Sequence, residues 1–391
     1  MIASEPAIAG RCDARFAALR DAFAANFREQ GEIGAGLCVQ IGDTRVVDLW
    51  GGHRDAARTQ PWTEHTLVNA YSVGKGVVAM LVLALIERGE IALDRPVAAI
   101  WPEFAASGKG GITVRTLLAH RAGLPSVRER LPDDALYDWD RMCATLAGQA
   151  PYWDPGTAHG YHVNTYGFLA GELVRRVTRI GVGGALARIV TGPAGADFHY
   201  GIAPRDHARV AEVVTSFPVV REEAQWALAF PPTGDAEHDR MVWHAYFNPN
   251  GISGMGVVNT PAWRSAAIPS TNGHGTARGV ATLYAAFLRG GPPGSSWAGD
   301  GLRGEATAIQ ADGDDRVTGR ASRFGLGFQL AQPSRPIGAS PRAFGHFGYG
   351  GSLGFADPDA GLAFGYLMNR PGERWNNPRT ERLLDALYQC L

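Results

Sequence analysis

The chain has 391 residues, 45% hydrophobic and 19% charged, with a formal net charge of −1. That length and composition suit one or two domains around a large core, and the near-neutral balance gives no reason to expect nucleic acid or a membrane as partner. Cys12, Cys38, Cys143 and Cys390 are far apart and form no C-x-x-C pair, so they read as free thiols; no His/Cys cluster has metal-ligand spacing, and no cofactor is expected.

The first 30 residues carry no apolar run behind a basic start, so no signal peptide is expected and the location reads as cytoplasmic. Asp13 to Gln30 is helical in pattern, with Phe16, Leu19, Phe23 and Phe27 on one stripe. Gly36 to Ile41 and Arg45 to Trp50 are β-rich runs around Gly42-Asp43, which reads as a hairpin. Val77 through Ile86 is unbroken apolar sequence, and Gly89 is a plausible helix C-cap. About 20 such residues are needed to span a bilayer, so these ten predict a helix buried on every face.

Ser72 stands where that helix should begin, and Lys75 follows one turn later. Residues i and i+3 are neighbours on a helix, so a hydroxyl and an amine share one face at its mouth. That is the pattern of S-x-x-K nucleophilic catalysis, in which a serine needs a base and a lysine serves only if its pKa falls. Lys75 and Lys109 are the only two lysines in the chain, which makes a chance match less common. The plainer reading is an N-cap serine and a lysine snorkelling from the helix.

Further along, Ile91 to Pro102 is loop-like, and Thr113 to His120 and Trp139 to Gln149 are short helices. Trp153-Asp-Pro-Gly-Thr157 is a turn, and Tyr166 to Thr178 is again helical. From about 185 to 300 the pattern is mixed, with helices at Asp206 to Val214 and Ala277 to Arg289. Phe344 to Tyr349, Gly351 to Asp357 and Gly361 to Met368 alternate as strands do, and Asn377 to Leu391 is a closing amphipathic helix. The expected architecture is α/β (α+β): one antiparallel sheet built from both termini and flanked by helices, plus an inserted, mainly helical region. The boundaries read as 1–90 with 300–391 for the sheet domain and 91–299 for the helical one.

Four ordered stretches then carry a resemblance: Tyr71-Ser-Val-Gly-Lys75, Leu117-Leu-Ala-His-Arg-Ala-Gly-Leu-Pro125, Pro155-Gly-Thr-Ala-His-Gly-Tyr161 and His346-Phe-Gly-Tyr-Gly-Gly351. Over roughly residues 15 to 385 the chain resembles the serine β-lactamase-like family of class C β-lactamases, DD-peptidases and family VIII carboxylesterases. The resemblance implies a β-lactamase/transpeptidase-like fold with the active site in the groove between the two domains. It implies Ser72 as nucleophile, Lys75 as its activating amine, and Tyr161 as the tyrosine of a Y-x-N motif that relays the proton to the leaving group. It places His346-Phe347-Gly348 at the family's K-T-G strand, with the backbone N–H of Tyr349 joining that of Ser72 as the oxyanion hole.

Two positions depart from that pattern. Val163 occupies the asparagine position of Y-x-N, with Asn164 one residue late and so rotated by about 100° on a helix. His346 replaces the K-T-G lysine. Both losses argue for a substrate without the antibiotic's anion, such as a simple ester. Gly350-Gly-Ser352-Leu-Gly354 matches the G-x-S-x-G nucleophile elbow, but no histidine follows His346, so that triad cannot be completed. His120 reads as a structural hydrogen-bonder, and His162 should point away from the site. The Asn272-Gly-His-Gly-Thr276 loop, with His274, either lines the groove or serves Thr276 as a helix cap. Trp153 and Tyr349 either wall an acyl pocket or pack in the core.

The expected function is a serine esterase acting on a small carboxylic ester. The alternatives are a β-lactamase, D-aminopeptidase/DD-peptidase or other amide hydrolase with the same site, and a binding protein that keeps the fold without turnover.

Overall fold

The computed structural model describes residues 7–215, 223–373 and 375–391. In chain order its strands are β1 (Ile8–Cys12), β2 (Gly34–Ile41), β3 (Thr44–Gly52), β4 (Val68–Asn69), β5 (Phe198–His199), β6 (His274–Gly275), β7 (Ala311–Asp314), β8 (Ala321–Phe324), β9 (Gln329–Leu330), β10 (Phe344–Phe347), β11 (Leu353–Asp357) and β12 (Leu362–Met368). Nine of them form one antiparallel sheet in the order β1-β3-β2-β12-β11-β10-β9-β8-β7. The two ends of the chain meet at its centre, where β12 pairs with β2 in the register Leu362↔Ile41 through Met368↔Ala35.

The composition of β12 explains why this seam is buried on both faces. Side chains alternate across a strand. Phe364, Tyr366 and Met368 enter a core closed by the helices Ala17–Glu29 and Pro378–Gln389, while Ala363 and Leu367 enter the larger core on the other face. Gly365 lets the helix Ala277–Leu288 lie against the sheet, since a Cβ there would stand 2.2 Å from the Ala277 carbonyl oxygen. Behind the first face, buried Glu32 accepts from Arg379 at 2.8 Å and from the Tyr366 hydroxyl, tying both terminal segments to β12.

The helix Val73–Glu87 is the buried element that the apolar run predicts: every residue from Val73 to Leu85 is buried. It ends as expected, with Gly89 at φ 73° and the Glu90 N–H closing back on the Leu85 carbonyl at 2.9 Å. Beyond the long sheet, β4, β6 and β5 make a small three-stranded sheet that the sequence did not suggest. The stretch read as a helix over Asp206 to Val214 is instead a 3-10 turn at Pro204–Arg209 followed by extended chain. Ala203 is extended and Val210 bridges to Leu67, so pairing wins over helical propensity. No helix among the described residues is long and apolar enough to cross a membrane.

Candidate active site

Ser72 closes a tight turn between β4 and the buried helix. Tyr71 takes a positive φ of 49° there, a strained conformation for a bulky residue. Ser72 occupies the N-cap position, yet its hydroxyl caps no backbone N–H. It faces Lys75 instead, with Nζ 2.9 Å from Oγ. Lys75 is fully buried and also donates to the Ser270 carbonyl at 2.9 Å. Burial alone drives its pKa well below the ordinary lysine value. An amine that spends one N–H on Ser270 has a lone pair left to aim at the serine hydroxyl.

Tyr161 completes the group. Lys75 Nζ sits 4.9 Å from the centre of the Tyr161 ring, and a hydrogen bond with Ser72 draws the phenol pKa down against the much larger upward push of burial. The ring is clamped by Phe324, stacked at 5.7 Å and 7°, and by His346 at 5.8 Å. Its backbone N–H donates to both oxygens of Asp315, at 3.1 and 3.2 Å. The same carboxylate accepts from Val317 N–H, Thr318 N–H and the Ser322 hydroxyl.

Gly348 explains how the end of β10 reaches the serine turn. A Cβ on it would lie 2.6 Å from the Ala70 carbonyl oxygen, so only glycine permits this approach. Tyr349 follows, its ring 5.3 Å from that of Tyr71. The Ser72 N–H bonds to no backbone carbonyl among the described residues, so it is available at the mouth of the helix, where the dipole favours developing negative charge.

A cavity of about 580 Å³ opens in front of Ser72 and Tyr161. Phe230, Tyr246, Phe247, Met255 and Val258 give it an apolar wall, and Val163, Asn164, Gly348 and Tyr349 also line it. Several expected contacts lie elsewhere. His274 is on β6 inside the small sheet, buried, with its pKa pushed down to about 3 by burial; Thr276 beside it caps the helix Ala277–Leu288 by accepting from Gly279 N–H. Trp153 is also off the cavity, spending its indole N–H on the Ala158 carbonyl and packing on His162. His346 lies behind the Tyr161 ring rather than facing substrate. Its Nδ1 pairs with the Phe347 carbonyl, its Nε2 has no partner among the described residues, and burial lowers its pKa to about 3. Asn164 does reach the cavity, but its amide is engaged by Ala245, Ser253 and Thr271.

His120 and His162 are tied to each other and to the backbone: His120 Nδ1 accepts from His162 N–H, and His162 Nε2 accepts from Leu124 N–H. Ser352 is buried before β11, its hydroxyl 3.4 Å from the Met368 sulfur, with a strand and not a helix after it. Sequence reasoning missed Ser270, Asp315, Arg335 and the aromatic wall. None of these has a local pattern; each reaches the site only through the fold.

Comparison with known proteins agrees with this geometry. The β-lactamase family profile matches residues 19–388. The chain belongs to the β-lactamase family. A family VIII carboxylesterase crystal structure is similar over 98% of this chain and all of its own, at 39% identity and a TM-score of 0.87. LipL, an esterase/β-lactamase of Mycobacterium tuberculosis, is 32% identical over 367 residues, covering 92% of this chain and 82% of LipL. The esterase EstB of Burkholderia gladioli is 28% identical over 369 residues, covering 86% of each.

Proposed function

We propose that this protein is a carboxylesterase that cleaves small carboxylic esters through an acyl-enzyme on Ser72. The observation that carries the reading is the fully buried Lys75 amine 2.9 Å from the Ser72 hydroxyl, with no carboxylate among the described residues paired with it. Ser72 Oγ attacks the ester carbonyl while its proton passes to neutral Lys75. The oxyanion is held by the Ser72 and Tyr349 N–H groups, worth on the order of 10²–10³ in rate per donor. The Tyr161 phenol protonates the departing alkoxide and is reprotonated from Lys75. Water then enters by the reverse of this path and releases the acid. General acid–base help of this kind contributes roughly 10²–10⁴.

The apolar wall of Phe230, Tyr246 and Phe247 suits a short acyl or aryl group. The same acylation step would open a β-lactam ring, so a weak cephalosporin turnover belongs to the proposal; LipL carries both activities in its name. Mass spectrometry after incubation with a fluorophosphonate tests the reading. One adduct on the peptide containing Ser72, together with loss of aryl-ester hydrolysis, is expected; labelling elsewhere with activity intact would refute it.

A further inference from the structure

The glycine-rich stretch that mimics a nucleophile elbow has a different use in the fold. Gly348-Tyr349-Gly350-Gly351 turns the chain from the end of β10 into β11, and Tyr349 carries the second N–H of the proposed oxyanion hole. Little inside this turn holds it. Gly350 and Gly351 take positive φ values of 74° and 108°. Glycine has the most backbone freedom to lose, so a Gly-Gly turn is soft unless something fixes it. The bond that closes the turn itself, from the Gly351 N–H to the Gly348 carbonyl, is long at 3.4 Å. The Gly348 N–H reaches the Ser352 carbonyl at 2.7 Å, but that ties only the base.

The tip is held from outside, by the C-terminal segment. The Gly350 carbonyl accepts from the Gly372 N–H and from Asn377 Nδ2, both at 2.9 Å, and the Gly351 carbonyl accepts from the Thr380 hydroxyl at 2.9 Å. Asn377 and Thr380 are both buried. The terminal helix Pro378–Gln389 fixes them in turn. Asn377 is its N-cap, with Oδ1 accepting from the Arg379 N–H at 3.1 Å, while the amide nitrogen of the same side chain serves the turn. Packing leaves no slack here. A Cβ on Gly350 would lie 2.3 Å from Pro371 Cβ, and one on Gly351 would lie 2.3 Å from Asn377 Nδ2. Each donor fixes the peptide plane whose carbonyl it holds, and those planes follow directly on Tyr349. Asn377 and Thr380 are not among the residues that line the cavity, so any effect of theirs on catalysis passes through the turn.

We propose that Asn377 and Thr380, together with the Gly372 N–H, are positioning groups of the oxyanion hole: they clamp the Tyr349–Gly351 turn so that the Tyr349 N–H is aimed at the tetrahedral oxygen before substrate arrives. A preorganised donor acts where charge develops, so loss of the clamp slows the chemical step and spares ground-state binding. The inference rests on the esterase reading of Ser72 and adds to it the groups that set the geometry of its oxyanion hole.

Two uncharged variants separate the clamp from helix capping and from packing. Asn377→Ser keeps a favoured capping hydroxyl but lacks the amide that holds Gly350, and Thr380→Val keeps the shape but loses the donor. On a short-chain aryl ester each should lower kcat about tenfold, against roughly 10²–10³ for outright loss of one oxyanion donor, with KM within about twofold of wild type. A phenyl trifluoromethyl ketone, whose hemiketal with Ser72 places an anionic oxygen at the hole, should bind more weakly by the same factor as kcat/KM falls. Thr380→Ser should restore most of the rate. Amide hydrogen exchange needs no turnover: the segment 345–352 should exchange faster in Asn377→Ser and Thr380→Val, while β12 keeps its wild-type rate. Wild-type kcat and inhibitor affinity in both variants, or unchanged exchange in the turn, overturns the proposal. Equal acceleration across β12 would mark general loosening and overturns it as well. Ser72-dependent turnover that neither variant slows defeats this inference alone. Absent turnover in the wild type, with exchange raised only at the turn in the variants, supports the clamp and defeats the esterase reading.

Discussion

Asp315→Ala probes how Tyr161 is held. The Asp315 carboxylate accepts two contacts from the Tyr161 N–H and one each from Val317 N–H, Thr318 N–H and the Ser322 hydroxyl, and Ser322 in turn meets His159 at 2.9 Å. Hydrogen bonds to a charged acceptor contribute roughly 1.5–3 kcal/mol each, and orphaned buried donors cost about 1–3. The effects are not additive, because the turn donors can reach water once the side chain is gone. A net loss of about 2–4 kcal/mol is expected, or roughly 4–8 °C in Tm at about 2 °C per kcal/mol for a chain of this size. The catalytic effect is separate. Without its anchor the Tyr161 backbone can shift, and about 1 Å of misplacement costs on the order of 10²-fold. The kcat on a short-chain aryl ester should therefore fall about 30- to 100-fold, with KM changed less than about threefold. A variant that melts earlier but keeps kcat within about twofold of wild type would show that Asp315 only supports the β7–β8 turn.

Ser72→Ala should remove aryl-ester hydrolysis, while Ser352→Ala, at a buried serine whose hydroxyl meets the Met368 sulfur, should keep most of it; the opposite result in a paired assay would revive the elbow reading. Lys75→Arg should be as inactive as Lys75→Ala, because arginine stays charged, and residual activity of the arginine variant would exclude Lys75 as the base. The folded pKa of Lys75 is depressed, so the native state binds fewer protons than the unfolded chain between the two pKa values. Activity and stability should both rise with pH from the acid side, and the stability gain should end near the unfolded value of about 10.4. Lys75→Met should consequently be inactive and more stable at pH 7 in thermal melts; a less stable variant would mean that the amine is not held neutral. Arg379→Met leaves Glu32 buried without its cation and should cost about 3–5 kcal/mol in urea unfolding, and a loss below about 1 kcal/mol would show that Glu32 is protonated in the native protein.

What the sequence made legible was local or strongly periodic. The buried helix, its Gly89 end, the β2–β3 hairpin and the alternation of β12 all follow from runs of residues with one period. The Ser72–Lys75 pair followed from i,i+3 spacing, and Tyr161 from its place in an ordered series of motifs. The strands β1, β7, β8 and β9 were not legible. They have two to five residues each, and Ala311–Asp314 reads Ala-Asp-Gly-Asp, with no apolar face to detect. Their only signal is a partner distant in the chain. His274 and Trp153 failed for a related reason. A polar glycine loop or a tryptophan after a turn has the same chemistry whether it faces a groove or a core, and the small sheet around β6 that decides the matter has two-residue strands.

The exchange at position 346 bears on how the base is tuned. A neighbouring cation and burial both depress a lysine pKa, and the two make different demands on the site. With a neutral histidine at 346, whose pKa near 3 keeps it uncharged, no cation presses on Lys75 and burial is the sole cause of its shift. The amine is then neutral only while the helix mouth stays dry. Tyr161 serves this need, for its ring lies over Lys75 and is itself packed between Phe324 and His346. A lysine at 346 would place a second positive charge behind that ring. The neutrality of Lys75 is therefore set by packing alone.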